Sequence, residues 1–116
     1  MKKILVCGAG GFIGGHLVAE LRRQGHTNIR AVDKKPLDAW YQRFEDIESY
    51  QANLELLPDC ERAVEGCAQV YNLAADMGGM GFIELNKALC MLSVLINTHL
   101  LVAARKAGVE KFFFSS

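Results

Sequence analysis

A chain of 116 residues with 51% hydrophobic and 22% charged side chains is long enough for one domain with its own core and too short for several. Its 13 basic and 13 acidic residues cancel, so net charge gives no reason to expect nucleic acid or an anionic membrane surface, and the hydrophobic content excludes a disordered chain. The four cysteines, Cys7, Cys60, Cys67 and Cys90, form no C-x-x-C pair and no zinc-like spacing with histidine, and read as reduced, buried thiols. The apolar run after Met1-Lys2-Lys3 stops at Gly8, too short for an export signal. Ala88 to Ala104 is broken by Ser93, Asn97, Thr98 and His99 and falls short of the ~20 residues of a membrane span. The expectation is a soluble, cytoplasmic protein.

In chain order, Ile4 to Cys7 is a continuous apolar run ended by glycine, which predicts a strand buried on both faces of a parallel sheet. The period then changes. Phe12, Ile13, Leu17, Val18 and Leu21 share one helical face, and Arg22, Arg23 and Gly25 supply a basic last turn and a stop. Asn28 to Asp33 reads as a second strand and, after a polar stretch holding Trp40, Tyr41 and Phe44, Tyr50 to Leu54 as a third. Pro58 with Asp59 and Glu61 opens a helix that Gly66 closes. Ala68 to Ala75 is the fourth strand; the cluster Gly78, Gly79 and Gly81 follows, and Ile83 to Ala107 is helix-compatible up to Arg105, Lys106 and Gly108. Lys111 to Ser115 is the fifth strand, and its three phenylalanines predict an edge prone to pairing or aggregation. Strands alternating with helices predict an α/β fold of the Rossmann type: a doubly wound parallel sheet in the order 3-2-1-4-5, with helices on both faces.

The first strand hands over to the first helix through Gly8-Ala9-Gly10-Gly11-Phe12-Ile13-Gly14, a G-x-x-G-x-x-G spacing. Gly8 permits a tight turn, Gly11 lets backbone approach a pyrophosphate, and Gly14 lets helix and strand pack closely. The amides of Phe12 and Ile13 then face the anion, helped by the positive end of the helix dipole. Asp33 lies at the end of the second strand, 19 residues beyond Gly14, where a carboxylate accepts from the adenosine ribose hydroxyls and repels a 2′-phosphate. Together these predict dinucleotide binding with NAD preferred over NADP, a preference that the adjacent Lys34 and Lys35 weaken. Trp40, Tyr41 and Phe44 could cap a nucleotide but read more readily as packing residues.

These residues resemble the extended short-chain dehydrogenase/reductase family, the nucleotide-sugar epimerases and dehydratases. The likeness runs through Gly8, Gly11, Gly14, Asp33, Asn72-Leu73-Ala74-Ala75, Asn97 and the stretch Ala104 to Ser116. Within the family, the run Asn72 to Ile83 resembles the branch that acts on GDP-mannose. The resemblance implies NAD as cofactor and a nucleotide sugar, GDP-mannose first, as substrate. A hydride leaves the sugar's C4, the C3 and C5 protons become acidic, those centres invert, and the hydride returns.

The same likeness places the backbone of Leu73, Ala74 and Ala75 along the cofactor groove and Gly78, Gly79, Met80 and Gly81 against the hexose. Asn97 would help to position the cofactor, although a polar helix residue is an equal reading. Asn53 and Leu54 stand where relatives often have aspartate and an apolar residue touching adenine, and Ser115 opens the family's serine run on the cofactor side. The family's Tyr-x-x-x-Lys pair, whose tyrosine acts as base, its catalytic serine, and the acid/base cysteine of the branch resembled would follow Ser116, so no catalytic residue is assigned within the chain. The expectation is the N-terminal portion of an NAD-binding domain over residues 1–116, without turnover of its own, the substrate domain absent, and a homodimer through helix 83–107. A UDP- or dTDP-sugar 4-epimerase or 4,6-dehydratase, and a non-catalytic dinucleotide sensor, are the alternatives.

Overall fold

The computed structural model describes residues 2–74 and 98–114. Its centre is β1 (Lys3–Cys7), whose alternate residues go to opposite faces: Ile4 and Val6 join one buried cluster, Leu5 and Cys7 the other. Both faces are covered, which is why this run lacks the polar alternation of a half-exposed strand. The chain continues through α1 (Phe12–Arg23), β2 (Ile29–Asp33), a short 3-10 turn (Leu37–Ala39), β3 (Glu48–Gln51), α2 (Leu57–Val64) and β4 (Cys67–Asn72). Helical residues 98–107, here α3, precede β5 (Lys111–Phe114).

All strand pairings are parallel, in the order β3-β2-β1-β4-β5. This is the sheet the sequence predicts. On one face, Val18 and Leu21 of α1 pack over Ile4, Val6, Ile29 and Ala31. On the other, Cys60, Ala63 and Val64 of α2 and Leu100, Ala103 and Ala104 of α3 pack over Leu5, Val32 and Val70. Gly25, with φ of +96°, follows α1 and donates its N–H to the Arg22 carbonyl, which gives the stop expected there.

Three boundaries differ from the sequence reading. The third strand is Glu48–Gln51, not Tyr50 to Leu54. Its pairing with β2 runs out at Asp33↔Gln51, and Asn53 then turns the chain, accepting from the Glu55 N–H while its own N–H donates to Asp59. Ala52 and Leu54 are buried because they fold in under α2, so their spacing mimics a strand. The strand starts at a charged residue because Glu48 is held by Lys3 and Arg30, at 2.9 and 3.0 Å. The fourth strand ends at Asn72 and not at Ala75, since the Asn72 side chain accepts from the Ala74 N–H and bends the backbone. Ala75, residues 83–97 of the expected long helix and Ser115 lie outside the described residues. The third difference is the 3-10 turn, which no periodicity announces because it is only three residues long.

Arg30 ties the two halves of this face together. Its guanidinium donates to the carbonyls of Ala63 and Glu65, at 2.6 and 2.8 Å, closing the C-terminal end of α2 where carbonyls lack helical partners. At the other edge, Phe113 on β5 stacks on Tyr71 with 4.8 Å between rings and stays 46% exposed, so the phenylalanine-rich edge is open on that face. Among the described residues no helix is long and apolar enough to cross a membrane.

Candidate functional site

The order β3-β2-β1-β4-β5 sends the chain to one side of β1 first and to the other side later. The crevice between the carboxyl ends of β1 and β4 is therefore the place where an open α/β sheet offers room to a ligand. Gly8 opens the turn there with φ of +80°, a conformation that L side chains rarely adopt. A Cβ on Gly8 would lie 2.7 Å from the Leu73 carbonyl carbon, so the two strand ends meet backbone to backbone. The N–H groups of Gly8 and Ala9 both donate to the Val32 carbonyl, at 2.9 and 3.1 Å, which ties the turn to β2.

The three glycines of the spacing have different reasons to be glycine. A Cβ on Gly14 would fall 2.1 Å from the Gly8 carbonyl oxygen, so α1 crosses the end of β1 with no room for a side chain. A Cβ on Gly11 would meet nothing nearer than the Gly8 oxygen at 3.6 Å. Nothing within the described protein excludes a side chain at Gly11, and the open space lies where the helix begins. The first helical bond runs from the Gly15 N–H to the Gly11 carbonyl, leaving the amides of Phe12, Ile13 and Gly14 without helical acceptors. No side chain caps this end and no acidic residue stands in the first turn, so its partial positive charge is uncompensated by the helix itself.

Asp33 reaches this turn from the end of β2. One carboxylate oxygen accepts from the Gly10 N–H and the other from the Lys35 N–H, both at 2.9 Å. An ionised carboxylate offers about four acceptor positions, so two backbone donors fix its orientation and leave capacity for the hydroxyls of a ribose. Lys34 projects to solvent and lies 3.6 Å from Glu55. Asn53 spends its side-chain oxygen on the local turn, and Leu54 is turned into the core, 4% exposed. The Leu73 N–H donates to the Cys7 carbonyl, which extends the β1–β4 contact into the crevice. Asn72 is almost fully buried at that strand end. Ala75, Gly78, Gly79, Met80, Gly81, Asn97 and Ser115 lie outside the described residues.

Cys7 adjoins the turn but is built as a core residue. Burial pushes its thiol well above 9.0, reinforced by Cys60, Cys67 and Asp33 nearby. Cys60 is pushed up to about 12 by burial and by the neighbouring Asp59 and Glu61. Such thiols are poor nucleophiles at neutral pH.

The sequence reading missed the part played by Trp40 and Tyr41. The Tyr41 N–H donates to the Gly10 carbonyl at 2.9 Å, and the Trp40 indole lies flat enough on Gly10 that a Cβ there would come within 2.8 Å of the ring. Gln42 crosses Gly15 in the same way. A strap over residues 40–42 thus explains the two glycines outside the motif spacing. The available signal was those surplus glycines together with one bulky aromatic downstream of Asp33. Phe44 packs at the base of the strap beneath the Arg22 guanidinium, and Tyr41 forms an exposed cluster with Phe12 and His16.

The chain is similar to known proteins in sequence and in fold. In Arabidopsis thaliana, GDP-mannose 3,5-epimerase is 39% identical over 115 residues, covering 98% of this chain and 30% of that protein. The chain thus spans about a third of the length of the curated relatives it matches. MoeE5, solved in complex with UDP-glucose and NAD, superposes with a TM-score of 0.80 at 32% identity, over 98% of this chain and 36% of that one. A short-chain dehydrogenase/reductase superfamily protein from Agrobacterium tumefaciens, solved with bound NAD, superposes with a TM-score of 0.78 at 31% identity, over 98% of this chain and 32% of that one. The family model for NAD dependent epimerases and dehydratases matches residues 4–116: the chain belongs to the NAD dependent epimerase/dehydratase family.

Proposed function

We propose that the chain binds NAD across the carboxyl ends of β1, β2 and β4 and forms the cofactor-binding part of a nucleotide-sugar epimerase acting on GDP-mannose or a near relative of it. One observation carries this reading. The uncapped start of α1, with open space at Gly11, stands beside a carboxylate that Gly10 and Lys35 hold in a fixed orientation. An anion beside a vicinal diol is what the pyrophosphate and ribose of a dinucleotide offer.

In this reading the amides of Phe12 and Ile13 neutralise the pyrophosphate, with Gly11 leaving room for it, and Asp33 accepts from the ribose hydroxyls. The Leu73 and Ala74 backbone closes the other wall, and Lys34 and Asn53 border the adenosine. Leu54 supports the adenine side from within the core. Ala75, Asn97 and Ser115 are assigned to the nicotinamide half, and Gly78, Gly79, Met80 and Gly81 to the hexose. When bound, NAD supplies a reversible oxidation at the sugar's C4, which acidifies the protons at C3 and C5. The side chains that move those protons are assigned beyond Ser116, and the 116 residues alone are expected to bind without turnover.

The GDP-mannose epimerases among the relatives support this substrate; the UDP-glucose complex supports a second reading, a UDP-sugar epimerase or dehydratase. Exposed Leu101 and Val102 on α3 support a homodimer through the helix over 83–107, and the buried free thiols suit a reducing, cytoplasmic setting. Calorimetric titration with NAD and NADP is the test. Preferred binding of NAD, moved toward NADP by Asp33→Arg, is the expected result; a chain that melts cooperatively and binds neither overturns the cofactor reading. Turnover of GDP-mannose against UDP-glucose by the complete protein decides between the two substrates.

A further inference from the structure

The carboxylate that discriminates NAD from NADP in the proposed reading does not hold itself in place. Asp33 is fixed by two backbone donors, Gly10 and Lys35, and both belong to segments that Trp40 touches. The indole N–H donates to the Lys35 carbonyl at 2.9 Å, pinning the turn that follows β2. The ring itself covers Gly10: a Cβ on that residue would stand 2.8 Å from the indole Cδ1 and 3.0 Å from the Asp33 carboxyl carbon. The Tyr41 N–H, one residue on, donates to the Gly10 carbonyl. Trp40 is 9% exposed and packs with Ala9, Val18 and Ala31, so its position is set by the core under α1 and not by solvent.

We infer that Trp40 is a positioning residue for Asp33, and that through it the strap sets the preference of the site for a free ribose 2′-hydroxyl over a 2′-phosphate. This rests on the dinucleotide reading above. The reasoning is geometric. A carboxylate held by two amides presents its remaining lone pairs in fixed directions, and two hydroxyls can then be accepted without reorganisation. Without the indole N–H, the Lys35 carbonyl loses its partner and the turn 33–35 loosens. A carboxylate free to turn away accepts the hydroxyls less well and repels a 2′-phosphate less strongly. The consequence is a change in the ratio of the two affinities and not merely in their size.

The experiment titrates the full chain and its variants with NAD and with NADP, with a thermal melt of each as the control for folding. Trp40→Phe keeps an aromatic ring and removes the donor. It is expected to lower the NAD:NADP affinity ratio by about threefold to tenfold, the range one hydrogen bond is worth. The same substitution on an Asp33→Asn background is expected to change the ratio no further. Trp40→Leu, which also removes the donor and leaves Gly10 untouched, gives the same direction and serves if Trp40→Phe fails to melt cooperatively. Equal weakening of both cofactors, or a lower melting temperature with the ratio intact, overturns the inference and leaves Trp40 as packing. If the parent chain shows no NAD preference, or Asp33→Asn leaves the ratio unmoved, the dinucleotide reading fails and this inference falls with it. A ratio that responds to Asp33→Asn but not to Trp40→Phe removes the inference alone.

Discussion

Two helices begin at the same edge of the sheet, α1 after β1 and α2 after β3, and their N-termini differ in the charge and the space around them. Neither helix has a side-chain cap, but an acid stands at the start of α2 and none at the start of α1. Asp59 stands in its first turn and takes the Asn53 N–H at 2.8 Å, the Asn53 side chain takes the Glu55 N–H, and a proline occupies a position where an amide would lack a partner. α1 has no acid in its first turn, and a glycine at the N-cap with space beside it. A helix start with no carboxylate of its own and open space beside it suits a charge from outside. That contrast supports the phosphate assignment more firmly than the glycine spacing, which many strand-to-helix turns share.

The contrast fails most visibly if the glycines of the open turn are interchangeable. Gly14→Ala drives a methyl into the Gly8 carbonyl at 2.1 Å, and backbone must move on both sides. The expected loss is more than about 3 kcal/mol in urea unfolding, at the upper end of single substitutions. Gly11→Val, in open space, is expected to cost about 1 kcal/mol or less of stability, as a changed N-cap does. It should nevertheless weaken NAD binding by about tenfold or more, roughly 1.4 kcal/mol. If Gly11→Val binds NAD as the parent does, α1 is not the phosphate site. On α2 the order reverses: Asp59→Ala is expected to cost about 1 kcal/mol of stability and leave NAD affinity unchanged by titration.

The smallest effect concerns the far end of α2. Burial alone would raise the Glu48 carboxyl, but the hydrogen bonds from Lys3 and Arg30 outweigh it and leave the group below 4.5. Because the folded-state value is depressed, this stabilisation is present above about pH 4.5 and lost as pH falls through the lower folded-state value. Glu48 is 43% exposed, so solvent screening keeps the effect under about 1 kcal/mol. Glu48→Gln is expected to flatten the acid limb of a stability–pH curve and leave the neutral region nearly unchanged.

How much of this was legible in sequence depends on whether one segment could announce its own role. β1 and α1 were legible because a two-sided apolar run and a 3.6-residue period are local properties, although Phe12 and Ile13, read onto the apolar face of α1, are exposed at the start of the helix. Asp33 was legible because its distance from the glycines reflects one intervening helix. β3 was displaced because its start is held by charges from Lys3 and Arg30, distant in sequence, while Ala52 and Leu54 imitate alternation. The sequence reading gave no reason for Gly10 and Gly15, since the residues that press on them come from a strap some thirty positions downstream. Arg30 closing α2 was invisible for the same reason: a long side chain on one strand reaches three carbonyls of a helix formed much later.

The chain has a single tryptophan, and the fold has seated it behind the carboxylate of the candidate site. A buried indole with its N–H bonded emits at shorter wavelength than one in water, so Trp40 is an optical marker for the strap. Emission will follow the docking of residues 40–42 during unfolding, separately from helix content. It will also register any ligand that shifts Gly10 or Asp33, and reduced dinucleotide bound nearby will draw off its excitation. One residue therefore lets the folding of this edge and its occupancy be followed in the same cuvette, without a label.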